Sequence, residues 1–93
     1  MKKITIKDRE FIEELERLQN EVQSRQFIIT HILTSDIDIN SKNFNFYQEE
    51  YSKYYNLYEK KKSDVERIYV KSNYPNAKSW NLDFISGELE IYE

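Results

Sequence analysis

The sequence predicts an α+β fold dominated by helix: a long antiparallel helical hairpin of coiled-coil type with a small antiparallel β-sheet, in the order β-α-α-β-β. Three observations carry this expectation. Apolar residues recur at alternating spacings of four and three along two long runs, a periodicity that holds one stripe of a helix against a partner. The pattern stops at Tyr74-Pro75-Asn76, where proline supplies no N–H and biases its predecessor away from helical angles. The chain ends, residues 2–6 and 79–93, instead alternate apolar with polar side chains, as half-buried strands do.

The first strand is placed at 2–6, where Ile4 and Ile6 alternate among Lys2, Lys3 and Lys7. Residues 82–93 carry Asp83, Glu88, Glu90 and Glu93 without a base, a net charge of −4. Opposite charges on facing strands attract, so the basic strand is expected beside the acidic hairpin. Thr5 and Asp8 also form a capping-box pattern, which would start the helix earlier.

The first helix is expected over 8–34, with Asp8 as N-cap and Glu10, Glu13 and Glu14 near its positive end. Its seam runs Phe11, Leu15, Leu18, Val22, Arg25, Ile29, Ile32, broken only by Arg25. The second helix is expected over 45–71, with Asn45 and Gln48 resembling a capping box. Its seam runs Tyr47, Tyr51, Tyr54, Tyr58, Lys61, Val65, Ile68, broken only by Lys61. A turn near residue 39 would set Arg25 level with Tyr51–Tyr54 and Lys61 near Glu14. Both interruptions read as register devices, since a polar residue in a seam fixes alignment at a cost in stability. The final hairpin, 79–93, is expected to turn at Ser86-Gly87, pairing Phe84 with Leu89 and Leu82 with Ile91. All of this fits one domain over residues 1–93.

Composition removes several function classes. The 93 residues include no cysteine, one glycine and one histidine, so neither a disulfide framework nor a thiolate metal site can be written. Gly87 alone cannot make a phosphate loop or a dinucleotide fingerprint. No stretch is apolar enough to cross a bilayer, and no apolar run follows Lys2 and Lys3; a cytoplasmic protein without membrane contact is expected. Lys, Asn, Ile and Tyr total 37 residues against 3 for Ala, Gly and Pro, a usage that fits AT-rich coding, as in low-GC bacteria and their phages.

Several local patterns invite a sharper reading. Asp36-Ile37-Asp38-Ile39-Asn40 places oxygens as an EF-hand loop does at positions 1, 3 and 5. Ser41 and Tyr47 then stand where glycine and a bidentate glutamate are required, so no calcium is assigned. His31, the lone histidine, has no second histidine with which to hold a metal. Lys60-Lys61-Lys62 with Lys53, Arg67 and Lys71 gives a basic, tyrosine-rich stretch of the kind that binds single strands. Glu49, Glu50, Glu59, Asp64 and Glu66 are mixed into it, as on a solvated face with paired charges. The acids of the first helix, Glu10, Glu13, Glu14, Glu16 and Glu21, could mimic a phosphate backbone, but a net charge of −3 is mild for that role.

With no nucleophile–base pair, metal cluster or cofactor motif, the sequence points to a non-catalytic protein-binding module. It would be a small accessory subunit or inhibitor docking on a larger protein, in its sharpest form a phage or mobile-element inhibitor of a host system. The apolar groups left outside the two seams, Phe27, Ile28, Tyr55 and Tyr69, are the expected contacts, with Glu88 and Glu90 as an acidic rim. The alternative is a nucleic-acid-associated hairpin using Lys60–Lys62. A third reading is self-association into a homodimer through exposed edges of the hairpin.

Overall fold

The computed structural model describes residues 1–34 and 42–93. Along the chain these form β1 (Lys2–Thr5), α1 (Arg9–Thr34), α2 (Lys42–Val65), a π-helical turn (Glu66–Val70), β2 (Ser79–Leu82) and β3 (Glu88–Tyr92). The two helices pack on each other and the strands form a small antiparallel sheet. The Asp36–Asn40 pattern, with the link that contains it, lies outside the described residues. The chain divides into two compact units, Met1–Glu16 with Lys60–Glu93, and Arg17–Glu59; they are called here the sheet unit and the hairpin unit.

In the sheet unit the strand order is β1-β3-β2, with the acidic strand in the middle. Ile4 faces Leu89 and Leu89 faces Leu82, while Trp80 faces Ile91, so these apolar residues share one face. Lys3 faces Glu90 and forms an ion pair with Glu88 at 3.2 Å on the other face. The charge asymmetry between the chain ends is thus expressed as β1–β3 pairing. Beyond β1, the Ile6 N–H donates to the Gly87 carbonyl at 2.8 Å. Asp8 caps α1 as expected, its carboxylate accepting from the Phe11 N–H at 3.2 Å.

The hairpin turn differs from the expected one. Asp83–Gly87 form a five-residue loop instead of a two-residue turn, and Leu82 pairs with Leu89 instead of Ile91. Asp83 is the cause. Its carboxylate accepts from the N–H groups of Ile85 at 2.9 Å and Ser86 at 3.2 Å, while its own N–H donates to Glu88. A slip of two residues keeps every side chain on its expected face, because the strand period is two. Gly87 has φ of 76°, and a Cβ there would stand 2.7 Å from the Ile6 carbonyl oxygen, so both conformation and space demand glycine.

The second helix also departs from its expected bounds. It starts at Lys42, before Asn45, which is exposed inside the helix and caps nothing. Phe44 explains the earlier start: it lies three residues before Tyr47 on the same stripe and is buried. At the other end the α-helix stops at Val65 and widens, the Lys71 N–H donating to the Glu66 carbonyl at 2.7 Å. One π turn adds about a residue to the repeat. Val65 and Val70 are therefore both buried, whereas Ile68, expected in the seam, is exposed. The Tyr74 N–H closes the segment on the Val70 carbonyl immediately before Pro75.

The deepest core belongs to the sheet unit. Ile6, Ile12, Leu15, Val65, Val70, Leu89 and Ile91 are almost wholly excluded from solvent. In the hairpin unit Leu18, Val22, Ile32 and Phe44 are buried, and Tyr47, Tyr51, Tyr54 and Tyr58 are half-buried along the expected seam.

Candidate docking surface

Within the hairpin unit, α1 and α2 each bury one stripe and leave the rest exposed. Large apolar side chains are conspicuous on that remainder: Phe27, Ile28 and Leu33 on α1, and Phe46, Tyr55 and Leu57 on α2. Phe27 is the most exposed of them, at 74%. At 100° per residue it lies opposite Leu18, Val22 and Ile32 on the helix, so no rotation could bury it in the same seam.

Arg25 holds the middle of this unit. Its guanidinium stacks over Tyr54 with 3.9 Å from carbon to ring centroid, pairs with Glu21 one turn earlier, and reaches Glu50 on α2 at 3.6 Å. These contacts satisfy a half-buried cation within an otherwise apolar and aromatic seam. Beside it a groove of about 950 Å³ runs between the helices, lined by Gln26, Ile29 and Thr30 of α1 and by Gln48, Tyr51 and Ser52 among others of α2. Tyr51 stacks on Tyr55, with centroids 5.8 Å apart, so the exposed Tyr55 is braced at the groove margin.

The remaining expected contacts belong to the sheet unit and not to this one. Tyr69 is half-buried with its ring edge-to-face on Phe11 at 5.8 Å. Glu88 pairs with Lys3, and Glu90 accepts the Tyr92 hydroxyl proton at 2.8 Å, a bond that raises the Tyr92 phenol above its ordinary value of 10.0. Both carboxylates are half-buried on the central strand. The sequence reading missed Ile85, 90% exposed in the turn, where Arg9 donates to the carbonyls of Phe84 and Ile85 at 3.0 and 3.1 Å. A hairpin placed at Ser86-Gly87 gave no sign of it, since Ile85 would then have been a strand residue.

Lys61 is engaged instead of free, lying 4.5 Å from the Phe11 ring centroid and pairing with Glu14 at 3.5 Å. Among the described residues, no buried side-chain polar atom lacks a partner and no group of three His, Cys, Asp or Glu side chains could hold a metal ion. No described helix is long and apolar enough to cross a membrane. Comparison of the chain with protein-family models, curated proteins and solved structures finds no match.

Proposed function

We propose that this chain is a non-catalytic protein-binding module, a small cytoplasmic accessory subunit or inhibitor that docks on a larger protein through residues Arg17–Glu59. One observation carries the reading: six large apolar side chains, Phe27, Ile28, Leu33, Phe46, Tyr55 and Leu57, are exposed on that unit, and Phe27, the most exposed of them, lies opposite the buried stripe of its own helix. Interfaces draw most of their energy from a few aromatic and apolar anchors surrounded by polar groups, and Tyr55, stacked on the groove-lining Tyr51, is placed to act as one such anchor. The narrower form, an inhibitor carried by a phage or mobile element, is supported by the AT-rich residue usage.

A photo-crosslinking residue in place of Tyr55, with a control in place of Lys7, tests the proposal in lysate of a low-GC bacterium. Position 55 is expected to capture one defined polypeptide larger than the chain, and position 7 none. Tyr55→Ala should then weaken binding to that purified polypeptide by about 1 kcal/mol or more without loss of helical content. Adducts of equal pattern from both positions would remove the hairpin unit as the docking element. The nucleic-acid alternative has less support, since Lys61 is committed to Glu14 and Phe11. Salt-sensitive binding of short DNA or RNA that Lys60→Ala and Lys62→Ala abolish would restore it.

A further inference from the structure

The stripe of α1 that turns away from α2 changes character along the helix. Arg9, Glu10, Glu13, Glu16 and Arg17 occupy it at the start, the usual dress of a solvated face. From there on the same stripe carries Asn20, Ser24, Phe27 and His31, flanked by Gln23 and Ile28, and residues 26–34 contain no Asp, Glu, Lys or Arg. The charges that do occur in 18–34, Glu21 and Arg25, pair with each other. Phe27, 74% exposed, stands at the centre of this uncharged length. Depletion of charge around an aromatic residue marks the core of an interface.

We propose that this stripe of α1 pairs with the same stripe of a second copy of the chain, antiparallel, about a two-fold axis between Ser24 and Phe27. Charge selects the occupant. A two-fold contact lays a surface on itself, so a stripe with a net charge would repel its copy; on a chain of net charge −3 this neutral length can meet itself without that cost. Size complementarity then sets the register. With the axis between Ser24 and Phe27, each Phe27 ring lies over the small Ser24 of the partner copy and each Asn20 lies level with the partner copy's His31. Ile28 approaches its own copy on one flank, and Gln23 its copy on the other. A parallel arrangement would instead crowd Phe27 on Phe27, leave a gap at Ser24, and align the helix dipoles unfavourably.

The proposal goes beyond the larger-partner reading and does not rest on it; the two compete for Phe27 and Ile28, whereas Phe46, Tyr55 and Leu57 belong to the larger-partner reading alone. Residues 20–31 span only about 18 Å of helix at 1.5 Å per residue. The contact is thus shorter than those of stable dimers, and association is expected to depend on concentration.

Sedimentation of the full chain from about 10 μM to about 1 mM should show a reversible monomer–dimer equilibrium. Phe27→Glu should shift its midpoint upward by tenfold or more, with helical content unchanged by circular dichroism. Since the chain has no cysteine, Asn20→Cys and His31→Cys are unique probes. When the two single variants are mixed in equal amounts and oxidised, the mixed disulfide between one chain of each variant should clearly exceed the half share that random pairing alone would give it. A chain that remains monomeric at about 1 mM, a Phe27→Glu variant that associates like the parent, or a predominance of the disulfide between two Asn20→Cys chains would each overturn the proposal. Capture of a different polypeptide at position 27 by a chain that does not self-associate would assign the stripe elsewhere and overturn it as well. The Tyr55 crosslink is read independently, so either reading can fail alone.

Discussion

The sheet unit and the hairpin unit both bury apolar stripes of the same two helices, but with different covers. In the sheet unit, β1, β2 and β3 contribute an apolar face in addition to the helices, and seven side chains lose nearly all contact with solvent. In the hairpin unit the described elements are the helices alone; four apolar side chains are buried and the tyrosines stay half open. Two helices can hide only the narrow seam between them, whereas a sheet covers a wider arc. Ile12 shows the difference: it sits one position off the Phe11–Ile32 seam yet is fully buried, its Cδ1 within 3.0 Å of where a Cβ on Gly87 would stand. Stability should therefore be concentrated in the sheet unit and available surface in the hairpin unit.

The largest expected effect tests that division directly. Ile12→Ala and Ile91→Ala, at positions with 0% exposure, should each cost about 3–4 kcal/mol, within the usual range for a large buried aliphatic residue. Ile32→Ala in the hairpin unit, at 7% exposure and with fewer surrounding layers, should cost about half as much. Urea unfolding of the three variants provides the measurement. Equal losses would mean that the hairpin seam is as well covered as the sheet core, and the comparison would break.

Next in size is the Gly87 turn. Gly87→Val should destabilise by about 2 kcal/mol or more, because a β-branched residue resists positive φ and its Cβ would press on the Ile6 carbonyl oxygen at 2.7 Å. The same urea assay reads it, and unchanged stability would show that the loop can adopt another conformation at no cost. Arg25→Ala follows at about 1 kcal/mol, the scale of a cation–π contact with a partly buried ion pair. It should loosen the hairpin unit while leaving exchange protection in β3 near its original level. Loss of protection throughout would show that the two units unfold as one.

Most of the fold was legible because it rests on periodicity. The 4-3 spacing located both helices, the charge contrast between residues 2–7 and 82–93 located β1 beside β3, and the level of Arg25 with Tyr54 followed from antiparallel packing. What periodicity could not show was where it is locally overridden. The π turn moved burial from Ile68 to Val70, and no residue type announces such a turn. Asp83, read only as an acidic strand residue, reorganised the hairpin through two backbone hydrogen bonds. Within the candidate surface, Phe27, Ile28 and Tyr55 were found by subtraction from the seams. Tyr69 was not separable from them, because its pairing with Phe11 depends on the phase change at Glu66–Val70.

The smallest expected effect is confined to that Asp83 turn and sharpens the comparison from the sheet side. The N–H groups of Ser86 and Ile85 donate to the Asp83 carboxylate and hold its pKa below the ordinary value of 3.8. In the unfolded chain those donors are lost and the carboxyl returns to its ordinary range. A group whose folded pKa is depressed contributes stability above its unfolded pKa and loses that contribution as pH falls through the folded value. The turn should thus be fully braced at neutral pH and loosen only under distinctly acid conditions. An NMR titration following the Asp83 carboxyl carbon and the Ile85 and Ser86 amides should give a shared midpoint below that of an ordinary aspartate, with the amides of Gln23 and Phe27 unaffected by that event. Asp83→Asn, which keeps an acceptor without the charge, should remove the shared transition and leave the turn moderately less protected at neutral pH. A midpoint at or above the ordinary range would mean that the carboxylate does not hold the turn, and the five-residue loop would then need another cause.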